Sequence, residues 1–352
     1  MARGTRLDHA THRALAALGL AAWLAAPVAR AAPPQPVQAD SGGDYYELVA
    51  RFDSGHLLFA VAGLGNLGWG DDNATVVGFV VDPDGSAHRF SRSEHDAEQR
   101  LSPDGLRMDL RSIVFDRSTR PWQFRVDKGE FKLDLAIRAG AAARARPAVQ
   151  PAPRCPFDVL ESATPVSGTL WRSGMPAPLA IAGRIAVTHR ATRGLEADCQ
   201  LRRVEFFALD GALGLYFTEI TGADGRASRW LVATRSGRTV YEGAPDSAEL
   251  AWRPGPDGYP QPASLRFAAP GLGGRVEIDA PVVVYDPTER MPAPLRWAVS
   301  LRTRPRLTAS ASRFELAPAG EPRIAGRGVT RVTYSNPLAQ DRHDSQLAIG
   351  GQ

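Results

Sequence analysis

Apolar and polar side chains alternate with a period of two through much of this chain, and short glycine turns cut the alternation into segments. Tyr46, Leu48, Ala50 and Phe52 interleave with Glu47, Val49 and Arg51, and Leu106, Met108 and Leu110 interleave with Arg107, Asp109 and Arg111. Phe131, Leu133, Leu135 and Ile137 repeat the pattern against Lys132, Asp134, Ala136 and Arg138; Leu215, Phe217 and Ile220 continue it less regularly. Only an extended strand sends successive side chains to opposite sides. The polar alternates imply that one face of each sheet is wet. Asp84-Gly85, Asp104-Gly105, Asp210-Gly211, Asp224-Gly225 and Ser236-Gly237 fall between runs. Such pairs accept the positive φ of a tight hairpin, so neighbouring strands pair antiparallel.

The 34 Gly and 28 Pro are spread along all 352 residues, which works against long helices. No segment after the leader carries helical periodicity over three turns. About seven or eight strand candidates lie on each side of the Ala-, Pro- and Arg-rich stretch 139–156, a spacing that suits up-and-down sheets or barrels. The expected organisation is a leader at 1–31, a Pro-rich spacer at 32–44, a first barrel at 45–138, a linker at 139–156, a second barrel at 157–335 and a polar tail at 336–352.

The leader reads as an export signal. Arg3, Arg6 and Arg13 precede or open the apolar run 14–29, and Ala29-Arg30-Ala31 is an A-x-A pattern, so cleavage is expected after Ala31. The run is shorter than the roughly 20 residues of a membrane-spanning helix and is not repeated later, which argues against a transmembrane anchor. An uncleaved N-terminal anchor is the alternative. The expected address is periplasmic or secreted, with at most transient envelope contact. Most of the formal charge of +4 belongs to this leader, where four arginines face only Asp8. The nearly neutral remainder gives no general footprint for nucleic acid.

Export makes Cys155 and Cys199, the only cysteines, candidates for a disulfide; two unpaired buried thiols are the alternative. They lack the partners of a zinc site. Gly63-Leu64-Gly65-Asn66-Leu67-Gly68 matches G-x-G-x-x-G, but a dinucleotide needs a helix N-terminus directly afterwards. Trp69-Gly70-Asp71-Asp72-Asn73 follows instead, then the strand-like 74–82, so a hairpin loop is expected. Neither G-x-S-x-G nor H-E-x-x-H occurs. His56, His88, His95, His189 and His343 are too scattered for a metal site, and His88 and His95 read as a solvated loop. No cofactor and no metal are expected.

His189 ends the alternation Ile181, Gly183, Ile185 and Val187 and shares their face. A barrel-lining imidazole there is poised for proton transfer or for orienting a polar ligand group; a hydrogen-bonded structural histidine is the plainer reading. Trp171, Tyr216, Glu219 and Trp230 lie on neighbouring strand candidates of the same half. Aromatic residues in such places most often pack the core.

Asp44 to His56 is similar to the aromatic first strand and acidic-Gly hairpin of the tandem lipocalin-like superfamily, which includes AttH-like proteins, carotenoid 1,2-hydratases and yeast survival-factor-type proteins. Ala74 to Gly85 resembles the next strand and turn, and Pro121 to Val126 a later one. Pro165 to Leu170 and Gly183 to His189 resemble paired strands leading to a histidine, and Gly326 to Gly328 a closing strand. The resemblance implies an all-β fold of two antiparallel calycin-type barrels. It departs where hydratases of that kind carry a Trp soon after the histidine and a Tyr/Asp pair on a following strand. Arg190, Ala191, Thr192 and Arg193 stand here instead, and the nearest Tyr-acid pair is Tyr216 with Glu219.

Three functions remain open. The leading expectation is an exported protein binding a small hydrophobic ligand, a lipid or isoprenoid, in or between the barrels through Trp171, His189, Tyr216, Glu219 and Trp230. The first alternative is an enzyme on such a ligand, a hydratase, isomerase or cyclase, with His189, Glu219 and Tyr216 catalytic. The second is an envelope structural or interaction module whose barrels are filled by their own side chains. One fold serves all three.

Overall fold

The computed structural model describes residues 42–335 apart from 66–72, 95–99, 103, 140–144, 148–149, 151, 153, 195, 212, 237, 290 and 301–303. The expected leader with its cleavage point, most of the spacer and the tail lie outside the described residues, as do Asp71, Asp72, His95 and His343.

Two antiparallel sheets account for almost all of the described secondary structure. The first contains β1 (Gly43–Phe52), β2 (Leu57–Gly65), β3 (Asn73–Val81), β4 (Ala87–Glu94), β5 (Arg107–Asp109), β6 (Ile113–Asp116), β7 (Trp122–Asp127), β8 (Phe131–Ile137), β9 (Phe157–Arg172) and β10 (Leu179–Thr192). Its strand order is β4-β3-β2-β1-β10-β9-β8-β7-β6-β5. The second contains β11 (Arg202–Ala208), β12 (Leu213–Thr221), β13 (Ala227–Arg235), β14 (Arg238–Gly243), β15 (Ser247–Arg253), β16 (Gln261–Ala269), β17 (Leu272–Tyr285), β18 (Arg306–Pro318) and β19 (Ile324–Tyr334), in the order β14-β13-β12-β11-β19-β18-β17-β16-β15. In both, a meander of four strands leads out and a second meander returns to pair the last strand with the first. The molecule thus repeats one topology twice.

Hairpin chemistry shows why the strands turn where they do. Gly85, Gly105, Gly211 and Gly225 all hold positive φ, at 90°, 63°, 82° and 76°, in the Asp-Gly pairs read from the sequence. The G-x-G-x-x-G segment begins on β2, whose antiparallel partner β3 follows directly in the chain, as in a hairpin.

The expected domain boundary moves. Phe157–Thr192 adds β9 and β10 to the first sheet, and β10 pairs with β1 from Gly43↔Thr192 to Phe52↔Gly183. The stretch 139–156 therefore joins β8 to its sheet neighbour β9, and the passage to the second sheet runs through the one-turn helix Glu196–Cys199. An Ala- and Pro-rich composition marks a loop without saying whether the next strand returns to the same sheet. The alternation also misses the helix Ala293–Ser300, which is too short to show a period; Pro292 and Pro294 around its first turn are its visible signal.

Each sheet curls on itself as a half-barrel. In the first, Phe90 on β4 stacks on Phe131 of β8 at 5.6 Å and meets Phe124 of β7 at 6.1 Å, so strands far apart in the ladder touch across the concave side. Leu48, Ala50, Phe52, Leu58, Phe115, Leu133 and Leu135 fill the space between them. In the second, Phe217 stacks on Phe267 at 6.3 Å among Phe206, Leu215, Leu231, Leu265, Val276 and Phe314. Both concave interiors are largely occupied by the chain's own side chains.

The expectation of one wetted face per sheet fails at the contact between the two sheets. Val49, Phe59, Phe157 and Ala186 of the first sheet pack against Phe207, Tyr216, Trp230, Val232 and Val329 of the second. Glu47 and Val49, read as solvent alternates, are 3% and 1% exposed. Alternation reports two kinds of face; it cannot report that a second sheet covers the polar one. Cys155 and Cys199 form a disulfide that ties the approach to β9 to the helix before β11. Closing a loop of this length contributes about 3–4 kcal/mol in the chain-entropy model.

Candidate functional site

The five sequence candidates do not form one constellation. Tyr216 and Glu219 stand an odd number of residues apart on β12, so they leave the sheet on opposite sides. Glu219 turns into the second half-barrel, where Arg229 donates to it at 2.8 Å and Arg202 lies 3.8 Å away. Tyr216 and Trp230 turn towards the first sheet; Trp230 meets Phe157 edge-on at 5.7 Å and Tyr216 at 6.1 Å as core packing. Trp171 lies on the convex side of β9, lining an open cleft of about 540 Å³ with Arg125, Lys132, Asp134 and Pro178. His189 and Trp171 belong to the first sheet, and Tyr216, Glu219 and Trp230 to the second. His88 also departs from expectation: it stands on β4, and its Nε2 lies 3.1 Å from Asp82, which also holds Arg172 and, at 3.5 Å, His56.

Around Tyr216 the two sheets enclose a charged network. Glu47 from β1 receives Arg203 at 2.7 Å on Oε1 and Arg190 at 2.7 Å on Oε2, with Thr188 at 3.1 Å. Glu205 from β11 receives Arg203 at 3.0 Å and Arg331 at 2.9 Å on Oε2, and the Tyr216 hydroxyl donates to its Oε1 at 2.7 Å. Arg190 and Arg331 each reach both carboxylates. Burial alone would push Glu47 towards protonation, but the guanidiniums of Arg203, Arg331 and Arg190 outweigh it and lower its pKa to about 2. Glu205 is held well below the carboxylate range by the same balance. Burial and the Glu205 charge keep the Tyr216 phenol protonated far above its ordinary range, which makes it a poor general base.

His189 occupies a different environment. Its strand partners are Tyr46 on β1 and Asp158 on β9, and Asp44 stands diagonally across β1. Nε2 donates to Asp44 Oδ1 at 2.7 Å, and Nδ1 lies 3.6 Å from Asp158 Oδ2. The Tyr46 ring stacks on the imidazole with centroids 4.7 Å apart. Burial opposes a charge here, but hydrogen bonds to Asp158 and Asp44 and their negative charges outweigh it, so the His189 pKa is raised and the imidazolium is favoured. A β-bulge shifts the β9–β10 register between Ile185 and Thr188, directly before the histidine, and brings Asp158 opposite it. Arg146 approaches Asp158 at 2.8 Å from the more exposed side.

Arg117 completes this end of the half-barrel. It continues the inward face of Ile113 and Phe115 one step beyond β6, and its guanidinium carbon sits 4.0 Å from the Tyr46 ring centroid. Sequence reading missed Asp44, Tyr46, Arg117 and Asp158. Asp44, at a strand edge in register with the histidine's end of β10, was the one with a usable signal once β1 and β10 are known to pair.

No protein-family model and no curated protein sequence matches this chain. Solved structures do. An AttH-type protein of Nitrosomonas europaea superposes with a TM-score of 0.62 at 14% identity, covering 86% of this chain and 99% of that one. CghA gives 0.60 at 11% identity, covering 87% and 93%. Kievitone hydratase from Nectria haematococca gives 0.57 at 10%, covering 88% and 95%. Paired half-barrels with this likeness define the tandem lipocalin-like fold. The chain has that fold over nearly its whole described length, as the resemblance in its strand sequences implied.

Proposed function

We propose that the chain is an acid–base enzyme of the hydratase or cyclase kind, working on a hydrophobic unsaturated ligand at the His189 end of the first half-barrel. The carrying observation is the imidazole clamped between Asp44 and Asp158 and stacked on Tyr46. A charged imidazole held by carboxylates can give a proton and take one back without leaving its place. In a hydration, His189 supplies the proton to one alkene carbon, water adds its oxygen to the neighbouring carbon, and the proton lost by that water returns to the imidazole. Asp44 and Asp158 hold the ring in one orientation and stabilise its charged form; they are positioning residues.

The structural neighbours support this reading, since kievitone hydratase is named for such a reaction, at an identity that carries only the fold. Carriage without turnover is the second reading, favoured by the apolar side chains that fill both half-barrels, among which a hydrophobic guest would have to insert. The Cys155–Cys199 bridge supports export to an oxidising compartment, where disulfides persist.

Protein purified from its native source is extracted with organic solvent, and the extracted guest is incubated with fresh protein in heavy water. Turnover predicts mass gain in the guest, abolished by His189→Gln and strongly reduced by Asp44→Asn. A guest returned at unchanged mass contradicts catalysis and leaves carriage.

A further inference from the structure

Arg117 is a buried cation that no carboxylate among the described residues contacts directly. It is 7% exposed, and its Nη2 is closed off from solvent with no hydrogen-bond partner among the described residues. Two carboxylates lie near enough to act on its charge, Asp44 and Asp104, and neither bonds to it. Asp44 is committed to His189, and Asp104 accepts from the Ser102 hydroxyl and the Leu106 amide. What touches the guanidinium is aromatic: Tyr46 at 4.0 Å, with Phe115 and Trp122 at 6.0 Å. An aromatic face balances part of a cation's charge but offers no acceptor to an in-plane N–H. Every arginine in the neighbouring network, by contrast, reaches carboxylate oxygens. A buried donor left empty is costly, so such a group calls for an explanation, and an acceptor brought by a ligand is one.

We infer that Arg117 is a substrate-binding residue that receives an oxygen of the ligand, and that this oxygen is a carboxylate or a carbonyl conjugated to the reacting carbons. The inference rests on the acid–base reading of His189 and narrows its substrate class. An imidazolium is too weak an acid to protonate an isolated alkene, so its chemistry requires a double bond already polarised. A guanidinium on a conjugated oxygen supplies that polarisation, because the charge that develops on the oxygen during addition meets a fixed cation. Tyr46 links the two groups. The guanidinium and the imidazole lie 4.0 Å and 4.7 Å from the centre of the same ring, so their separation is at most those two distances combined.

The test uses pairs of probes that share a skeleton and differ in the oxygen function: cinnamate with cinnamyl alcohol, and retinoate with retinol. Binding to the full chain is followed by calorimetry, with folding of each variant checked by circular dichroism and thermal melting. The acid of at least one pair is expected to bind tenfold or more tightly than its alcohol. Arg117→Gln is expected to erase that preference and Arg117→Lys to retain part of it. His189→Gln should keep the preference while losing turnover, which separates failure of the catalytic reading from failure of this one. Equal affinity for acid and alcohol in both pairs, absence of binding by all four probes, or a preference that survives in Arg117→Gln overturns the assignment.

Discussion

Asp44 and Glu47 stand three positions apart on β1 and leave it on opposite sides, and the two acids enter opposite kinds of surroundings. Glu47 looks towards the second sheet and meets three guanidiniums that it shares with Glu205, each carboxylate accepting several donors and the Tyr216 hydroxyl closing the set. Asp44 looks into the first half-barrel and meets His189, beyond which the Tyr46 ring carries Arg117, whose Nη2 has no acceptor among the described residues. The first cluster is satisfied from within and sits where the sheets join. The second lies at the end of one sheet, and among the described residues it leaves the Arg117 Nη2 without an acceptor. A buried charged group is thus no sign of function by itself; what separates a joint from a site is whether its hydrogen-bonding capacity is used up.

The sharpest way to break this contrast is to remove one acceptor from the joint. Glu205→Gln leaves three buried guanidiniums sharing Glu47, and a loss of about 3–5 kcal/mol is expected, read by urea unfolding. A change below about 1 kcal/mol would mean that the network is not holding the sheets together. Next in size, replacing both cysteines by serine should cost about 3–4 kcal/mol while leaving the His189 titration unchanged, because the bridge serves the joint and not the site.

The two regions should also fail at opposite ends of the pH scale. Glu47 is depressed from 4.5 to about 2, so its contribution is complete above its ordinary value and is lost as the pH falls towards about 2. His189 is raised, so its contribution is complete below 6.5 and is lost as the pH rises through the higher folded value. Melting temperature followed against pH should show both arms, and His189→Gln should flatten the alkaline one alone. The smallest effect is expected at Arg117. Replacing it with Met removes a cation–π contact and a buried unpaired donor together, so stability should change by no more than about 1 kcal/mol in either direction, against the several lost at Glu205.

Much of this architecture was legible before any coordinates. The alternation at 46–52 and 131–137 marks β1 and β8, and four Asp-Gly pairs mark turns next to other strands, because strand periodicity and positive φ are local properties. Sheet membership is not local: nothing in Phe157–Thr192 says that these strands return to β1, so the boundary expected at 139–156 lies inside the first sheet. The site suffered from the same limit. His189 was visible because it ends an apolar run, whereas Asp44 and Arg117 become site residues only when β1 meets β10 and β6 curls over Tyr46. Tyr216 and Glu219 looked like a pair by sequence distance, and the strand's own alternation separates them.

The direct test is the ionisation of His189, followed by NMR of the histidine-labelled chain as a function of pH, with its signal assigned by loss in His189→Gln. The midpoint is expected above 6.5 and should fall when Asp44 is replaced by Asn. A midpoint at or below 6.5, or one indifferent to Asp44, would contradict the clamped imidazolium on which the proposed chemistry stands.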